Sequence, residues 1–135
     1  MKILLGVGGG IAAFKAAALA SLLVQRGHEV RVAMSRDAEA FVGRKTFEGL
    51  TGKVAIVSAT QIDPDGTAPH ITATRWAEVY VVAPATADLC ARLAHGVADD
   101  AVSLAAVAFR GRRVLCPAMN DAMYAHPATP ANPAA

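Results

Sequence analysis

The chain has 135 residues, 54% of them apolar, and 13 Lys and Arg stand against 11 Asp and Glu for a net charge of +2. That is enough for one domain with a core covered on both sides, and basic residues so scattered, with only Arg110, Arg112 and Arg113 clustered, leave no footprint for nucleic acid. Cys90 and Cys116 are far apart, without metal-ligand spacing, and residues 3–7 are too short for a membrane span with no signal cleavage site behind them; a reducing cytoplasm is the expected compartment.

Residues 2–7 read as a buried strand, followed by glycines and an alanine-rich helix over residues 11–26 with Leu19, Leu22 and Leu23 on one face and Gly27 just past its end. Residues 28–34 alternate polar and apolar, giving a second strand that a crossover helix of this length places parallel to the first. Residues 37–50 read as helical in two pieces broken at Gly43, and residues 54–57 as a short third strand. Residues 58–69 form a loop long enough to suggest function, ending at His70. Two helical turns (71–77), a hydrophobic strand (79–83), a helix (86–94) closed by Gly96, an apolar helix (101–109) and a last strand (113–116) complete the alternation. The pattern predicts an α/β fold: a single doubly wound, mostly parallel sheet flanked by helices, of the Rossmann-like or flavodoxin-like kind. Residues 1–126 are expected to form the working domain, and residues 127–135, with three prolines and no periodicity, an extended tail that is either the start of a flap or a truncated end.

Gly8-Gly9-Gly10-Ile11-Ala12-Ala13 joins the first strand to the first helix, where unpaired N–H groups and the positive end of the helix dipole suit a phosphate. The same string reads as G-x-G-x-x-A, but the acidic residue that a dinucleotide fingerprint needs at the end of the second strand is replaced by Met34-Ser35-Arg36. Ser35 and Arg36 suit a phosphomonoester or an NADP-type phosphate, and Ser35 could equally cap the segment that begins at Asp37. A chain of this length holds little more than one mononucleotide-binding half, which favours FMN over a dinucleotide. Asn120 and Met123 follow the last strand, where ligand crevices of open sheets lie. Asp99 and Asp100 are adjacent, point to different sides and read as solvent-facing or interface groups, and residues 110–113 as a solvated turn.

Four motifs stand in order: His70-Ile71-Thr72-Ala73-Thr74-Arg75-Trp76-Ala77, Ala83-Pro84-Ala85-Thr86-Ala87-Asp88, Leu93-Ala94-His95-Gly96-Val97-Ala98-Asp99-Asp100 and Pro117-Ala118-Met119-Asn120. With them the chain resembles, over residues 2 to about 129, the homo-oligomeric flavin-containing cysteine decarboxylases, which include phosphopantothenoylcysteine decarboxylase and the decarboxylases of C-terminal peptide cysteines. The resemblance implies FMN as cofactor, its phosphate held by Gly9, Gly10, Ile11 and Ala12 with Ser35, and Ala85 and Thr86 bordering the ring and ribityl chain. It implies His70 as the catalytic residue, Asn120 as the group that binds the substrate carboxylate, Met123 as a pocket wall, and trimers or dodecamers of trimers with the flavin near a subunit boundary. The implied chemistry is sound: a cysteine α-carboxylate leaves only once oxidation at the carbon bearing sulfur has made a thioaldehyde to receive its electrons, and the product is an enethiol. A histidine titrating near neutrality suits the proton handling, and a neutral amide holds the carboxylate without over-stabilising it.

Phosphopantothenoylcysteine decarboxylases carry a flap cysteine beyond the asparagine motif that serves in reducing the enethiol to a thiol, and neither Cys90 nor Cys116 occupies that place. Phosphopantothenoylcysteine and a peptide ending in cysteine therefore both stand as expected substrates. The competing readings are a flavin- or NADP-binding module without decarboxylase activity, built on the glycine turn and Arg36, and a flavin prenyltransferase, which shares the fold without pairing a His70 with an Asn120.

Overall fold

The computed structural model describes residues 1–126; the tail expected at residues 127–135 lies outside the described residues. Four strands, β1 (Lys2–Val7), β2 (Glu29–Met34), β3 (Val79–Ala85) and β4 (Arg112–Pro117), form one sheet in the order β2-β1-β3-β4, with every pairing parallel. The fold class expected from the alternation is the one observed. Helices α1 (Ala13–Gln25) and α2 (Arg44–Thr51) cover one face, where Ala13, Ala16, Ala20 and Phe47 pack on Ile3, Leu5, Val30 and Val32. Helices α3 (Pro69–Trp76), α4 (Ala87–His95) and α5 (Ala101–Ala108) cover the other, with Ala73, Leu89, Val102 and Ala105 packed on Leu4, Tyr80 and Val82. Near-continuous apolar strands are what a parallel sheet buried on both faces requires.

Three local expectations change. The buried stripe of α1 is alanine, not leucine: Ala13, Ala16 and Ala20 are buried, while Leu19 and Leu23 pack at the margin and Leu22 is 44% exposed. Small residues let the helix axis approach the sheet, and the leucines flank the contact. Residues 54–57 do not make a third strand; only Ile56 pairs, as a single parallel bridge to Ala33. Side chains have taken the neighbouring ladder groups: Ala55 N–H donates to Glu48 Oε2 (2.9 Å), Gln61 Nε2 donates to Ala55 O (2.9 Å), and Val57 N–H donates to Gln61 Oε1 (2.8 Å). The third change is a short helix, α6 (Asp121–Ala125), beyond β4 where no helix was expected.

The break at Gly43 is as expected, separating a 3₁₀ turn at Ala38–Ala40 from α2. The long loop before α3 is stapled to the sheet edge by Arg31, whose guanidinium donates to Val54 O (2.9 Å) and to both oxygens of Asp63 (3.0 Å each). With both side chains largely buried, this ion pair holds a segment that has little core of its own.

Candidate functional site

Because β1 and β3 are neighbours and the helices that follow them, α1 and α4, lie on opposite faces, a crevice opens at the carboxyl ends of these two strands. A cavity of about 850 Å³ occupies that place. Three strand ends meet there at close range. Gly8 N–H donates to Pro84 O (3.1 Å), and a Cβ on Gly8 would lie 2.3 Å from that carbonyl oxygen. A Cβ on Gly9 would stand 2.7 Å from Asp37 Cβ and 2.9 Å from its carbonyl carbon. Ser35 N–H donates to Val7 O (2.9 Å), so the turn after β2 is drawn against the glycine turn. Only glycine permits this approach of backbone to backbone.

Gly9, Gly10, Ile11 and Ala12 line the cavity, as do Ser35, Arg36 and Asp37. Helix α1 has Ala12 at its N-cap and no side chain capping it. By contrast, α4 is capped by Thr86, whose hydroxyl oxygen accepts from Leu89 N–H (3.2 Å), and α6 by Asn120, whose Oδ1 accepts from Met123 N–H (2.9 Å). The α1 terminus therefore presents amides and the positive end of a 13-residue helix to the cavity. Asp37 stands at the N-cap of the 3₁₀ turn without a side-chain cap bond. No hydrogen bond ties the Ser35 hydroxyl to that turn, which leaves it to the cavity.

Thr86, Asn120 and Met123 also line the cavity, with Met119 and Ala118 beside them. Ala85 does not: it is fully buried beneath, its carbonyl accepting from Ala118 N–H (3.1 Å) and so joining the ends of β3 and β4. With Oδ1 of Asn120 committed to the helix cap, its amide nitrogen is the group left to meet a ligand, and it can only donate. His70 lies outside this lining. It is the second residue of α3, half-buried, with its carbonyl accepting from Thr74 Oγ1 (2.6 Å). Since α3 leads directly into the start of β3, its first turn lies back toward the carboxyl end of the sheet.

Among the lining residues, Phe14, Leu89 and Arg92 were not singled out from the sequence, and Asp100 was read there as a solvent-facing or interface group. For Arg92 the spacing to Asp88 was a signal, and the pair is formed (2.9 Å). For Asp100 it was Asp-x-x-Ser. Asp100 is 7% exposed, and its carboxylate accepts from Ser103 N–H (2.8 Å) and Ser103 Oγ (2.9 Å) in a capping box at α5, so it is not solvent-facing. Asp99, by contrast, is exposed, and the Arg92 guanidinium, bonded to both its oxygens at 2.6 Å, holds its carboxyl below the usual range. Arg113 is exposed, as are Arg110 and Arg112, and its guanidinium donates to Ala106 O (2.8 Å) near the end of α5. Burial pushes the Cys90 thiol up, away from reactivity, whereas Cys116 is exposed. Among the described residues no group of His, Cys, Asp and Glu is placed to hold a metal ion, and no helix is long and apolar enough to cross a membrane.

Residues 1–134 match the flavoprotein family. The chain belongs to that family. It is 44% identical over 133 residues to the coenzyme A biosynthesis bifunctional protein CoaBC of Escherichia coli K12, covering 97% of this chain and 32% of that one. It is 41% identical over 133 residues to the CoaBC protein of Vibrio cholerae, with 97% and 33% covered. The chain thus spans about a third of the length of these relatives. Among solved structures it is similar to the FMN-dependent cysteine decarboxylase SpaF, at 32% identity with a TM-score of 0.89 over 98% of this chain and 76% of that one. The FMN-dependent cysteine decarboxylase TvaF, from thioviridamide biosynthesis, aligns at 28% identity, also with a TM-score of 0.89, over 98% and 82%. For a flavoprotein, the cavity has the right make-up: uncapped amides, a hydroxyl and cations together with the apolar side chains of Ile11, Phe14, Leu89, Met119 and Met123.

Proposed function

We propose that this flavoprotein binds FMN in the cavity and catalyses oxidative decarboxylation of a terminal cysteine carboxylate to an enethiol, with phosphopantothenoylcysteine as substrate. The observation that carries this reading is the pairing of an uncapped helix terminus with Asn120 across one cavity: an anion seat for the cofactor faces a donor-only amide for a carboxylate. The higher identity to the CoaBC proteins than to SpaF and TvaF supports the small-molecule substrate. The likeness to SpaF and TvaF keeps a peptide ending in cysteine as the second substrate to test.

In this reading Gly9, Gly10, Ile11 and Ala12 hold the phosphate of FMN with Ser35, and Thr86 borders the rest of the cofactor, with buried Ala85 supporting the turn beneath it. When bound, FMN supplies the acceptor for the hydride lost from the carbon next to sulfur. Asn120 holds the substrate carboxylate by its N–H groups, adding no positive charge, so that loss of CO₂ is not opposed by a tight ion pair. Met123 and Met119 close the apolar side and keep water from the reacting carbons. His70 is the proton-handling group, and it reaches the chemistry from a neighbouring copy: it lies outside its own protomer's cavity, and the rim there is apolar and open, with Ile11 82% and Phe14 58% exposed. In this reading the assembly is a homo-oligomer, a trimer or a dodecamer made of trimers, and a reducing cytoplasm suits its two free cysteines.

The test is mass spectrometry of phosphopantothenoylcysteine and of a cysteine-terminated peptide after incubation with the flavin-loaded protein. Loss of CO₂ together with two hydrogens from the first substrate is the expected result, and loss of CO₂ alone would mean that the enethiol is reduced as well. No CO₂ loss from either substrate by flavin-loaded protein overturns the decarboxylase reading, and turnover of the peptide alone reverses the choice of substrate. His70→Asn should keep its flavin absorbance and lose CO₂ release; an equally active His70→Asn variant removes that residue from the chemistry.

A further inference from the structure

Arg36 is held in two unequal ways. Its backbone N–H donates to Asp100 Oδ2 (3.3 Å), and Asp100 is buried and locked by Ser103. The backbone of Arg36 is thereby pinned at the end of β2, one residue after Ser35 and on the turn that touches Gly9. Its side chain is held far less: Nη2 donates to Asp99 Oδ2 and to Asp99 O, both at 3.3 Å, with the side chain 62% exposed. Asp99 has a stronger partner in Arg92, which binds both its oxygens at 2.6 Å and is itself only 27% exposed. Arg92 also donates to Asp88 Oδ2 (2.9 Å).

The cavity that takes the cofactor phosphate is lined by three carboxylates, Asp37, Asp88 and Asp100, and three cations, Lys15, Arg36 and Arg92. A phosphate dianion entering it needs a cation not already committed. Arg92 is committed twice. Arg36 directly follows Ser35 at the anion seat, with Lys15 of α1 also lining the cavity, and a long, exposed ion pair such as Arg36–Asp99 holds its side chain only weakly. Leaving that pair costs Asp99 little, because Arg92 remains on both its oxygens. A guanidinium fork then meets a phosphate with geometry no ammonium offers.

We propose that Arg36 is a phosphate-selecting clamp: it exchanges its contact with Asp99 for the phosphate of the flavin, so that it discriminates FMN from unphosphorylated riboflavin, with Asp99 as the positioning residue that parks it. This rests on the FMN reading of the cavity and adds to it a residue outside the glycine turn and Ser35. Arg36→Gln removes the fork, Arg36→Lys keeps the charge without it, and Asp99→Asn frees the fork.

The experiment is titration of the full chain, stripped of flavin, with FMN and with riboflavin, followed by quenching of flavin fluorescence. Expected is a loss of FMN affinity of roughly ten- to hundredfold in Arg36→Gln, with riboflavin affinity unchanged and Arg36→Lys intermediate. Asp99→Asn should tighten FMN by about two- to fivefold and leave riboflavin unchanged. Equal losses for both flavins in Arg36→Gln, or none, overturn the clamp, and weaker FMN binding in a stably folded Asp99→Asn overturns the parking role. A wild-type protein that binds neither flavin would instead sink the FMN reading itself. Lys15→Gln is the control, and a selective loss of FMN there with none in Arg36→Gln would transfer the role to Lys15.

Discussion

The two sides of the cavity differ in what holds them. On one side β1, β2 and β3 end in backbone contacts so close that Gly8 and Gly9 cannot carry a Cβ, and the strands behind them are buried on both faces. On the other, β4 and α6 are almost wholly exposed, with Met123 at 44% and Tyr124 at 55%, and Asn120 sits at the tip of a five-residue helix. The proposed seat for the phosphate is thus made by the domain's own core, whereas the groups proposed for the substrate stand on a lightly supported edge. Preorganised amides bind a permanent cofactor without rearrangement, and a thinly packed wall can open and close around a substrate that must come and go.

Gly8→Ala tests the rigid side most severely. Its new Cβ would meet the Pro84 carbonyl on the neighbouring central strand, neither of which can retreat, and a destabilisation of about 3 kcal/mol is expected by chemical denaturation, with loss of flavin. Gly10→Ala, whose Cβ would meet only Thr86 Cγ2 at 3.4 Å, should by contrast stay within about 0.5 kcal/mol of wild type. If both variants unfold alike, the close approach at Gly8 is not what fixes that wall.

Asn120→Asp probes the loose side. Aspartate caps a helix as well as asparagine, so stability should stay within about 0.5 kcal/mol and flavin content should not change. The two N–H donors are lost and a negative charge faces the substrate, so KM for a cysteine carboxylate should rise about tenfold or more in steady-state assays. An unchanged KM would reduce Asn120 to a helix cap.

A smaller effect separates two tyrosines. The Tyr80 hydroxyl is fully buried and donates to Val102 O (2.7 Å), so Tyr80→Phe should cost about 1 kcal/mol, while Tyr124→Phe on α6 should cost next to nothing. Burial, aided by the charge of Asp100, raises the Tyr80 pKa above its ordinary 10.0, and burial raises that of the Cys90 thiol above 9.0. Groups whose folded pKa is raised contribute stability that is complete below the unfolded value and is lost as pH climbs past it. Melting temperature should therefore begin to fall above about pH 9, and less steeply above pH 10 in Tyr80→Phe. A flat alkaline profile would contradict the burial of both groups.

Legibility followed locality. The strand, glycine turn and helix at residues 2–26 were readable because a short buried strand and a helix of good formers leave few alternatives, and the same holds for β3 and α4. Residues 54–57 were misread because Glu48 and Gln61 compete for their ladder groups, and neither is in that segment. Hydrophobicity put Leu19, Leu22 and Leu23 on one face of the helix, although the close approach of α1 to the sheet selects alanine for the buried stripe. Of the candidate residues, Gly9, Gly10, Ile11, Ala12, Ser35, Thr86, Asn120 and Met123 come together around one cavity, Ala85 lies just beneath it, and His70 stands apart.

Composition, apolar periodicity and four motifs by themselves determined the α/β class, the parallel order of winding and the resemblance to flavin-dependent decarboxylases, because each depends on neighbours in the chain. Tertiary structure alone decided that Asn120 spends its oxygen on a helix cap, that Asp100 is buried under Arg36 while Asp99 shares its charge between two guanidiniums, and that His70 falls outside its own cavity. Those depend on which strand ends meet, and the contacts that bring residues 36, 86, 100 and 120 together span separations over which sequence pattern carries no distance.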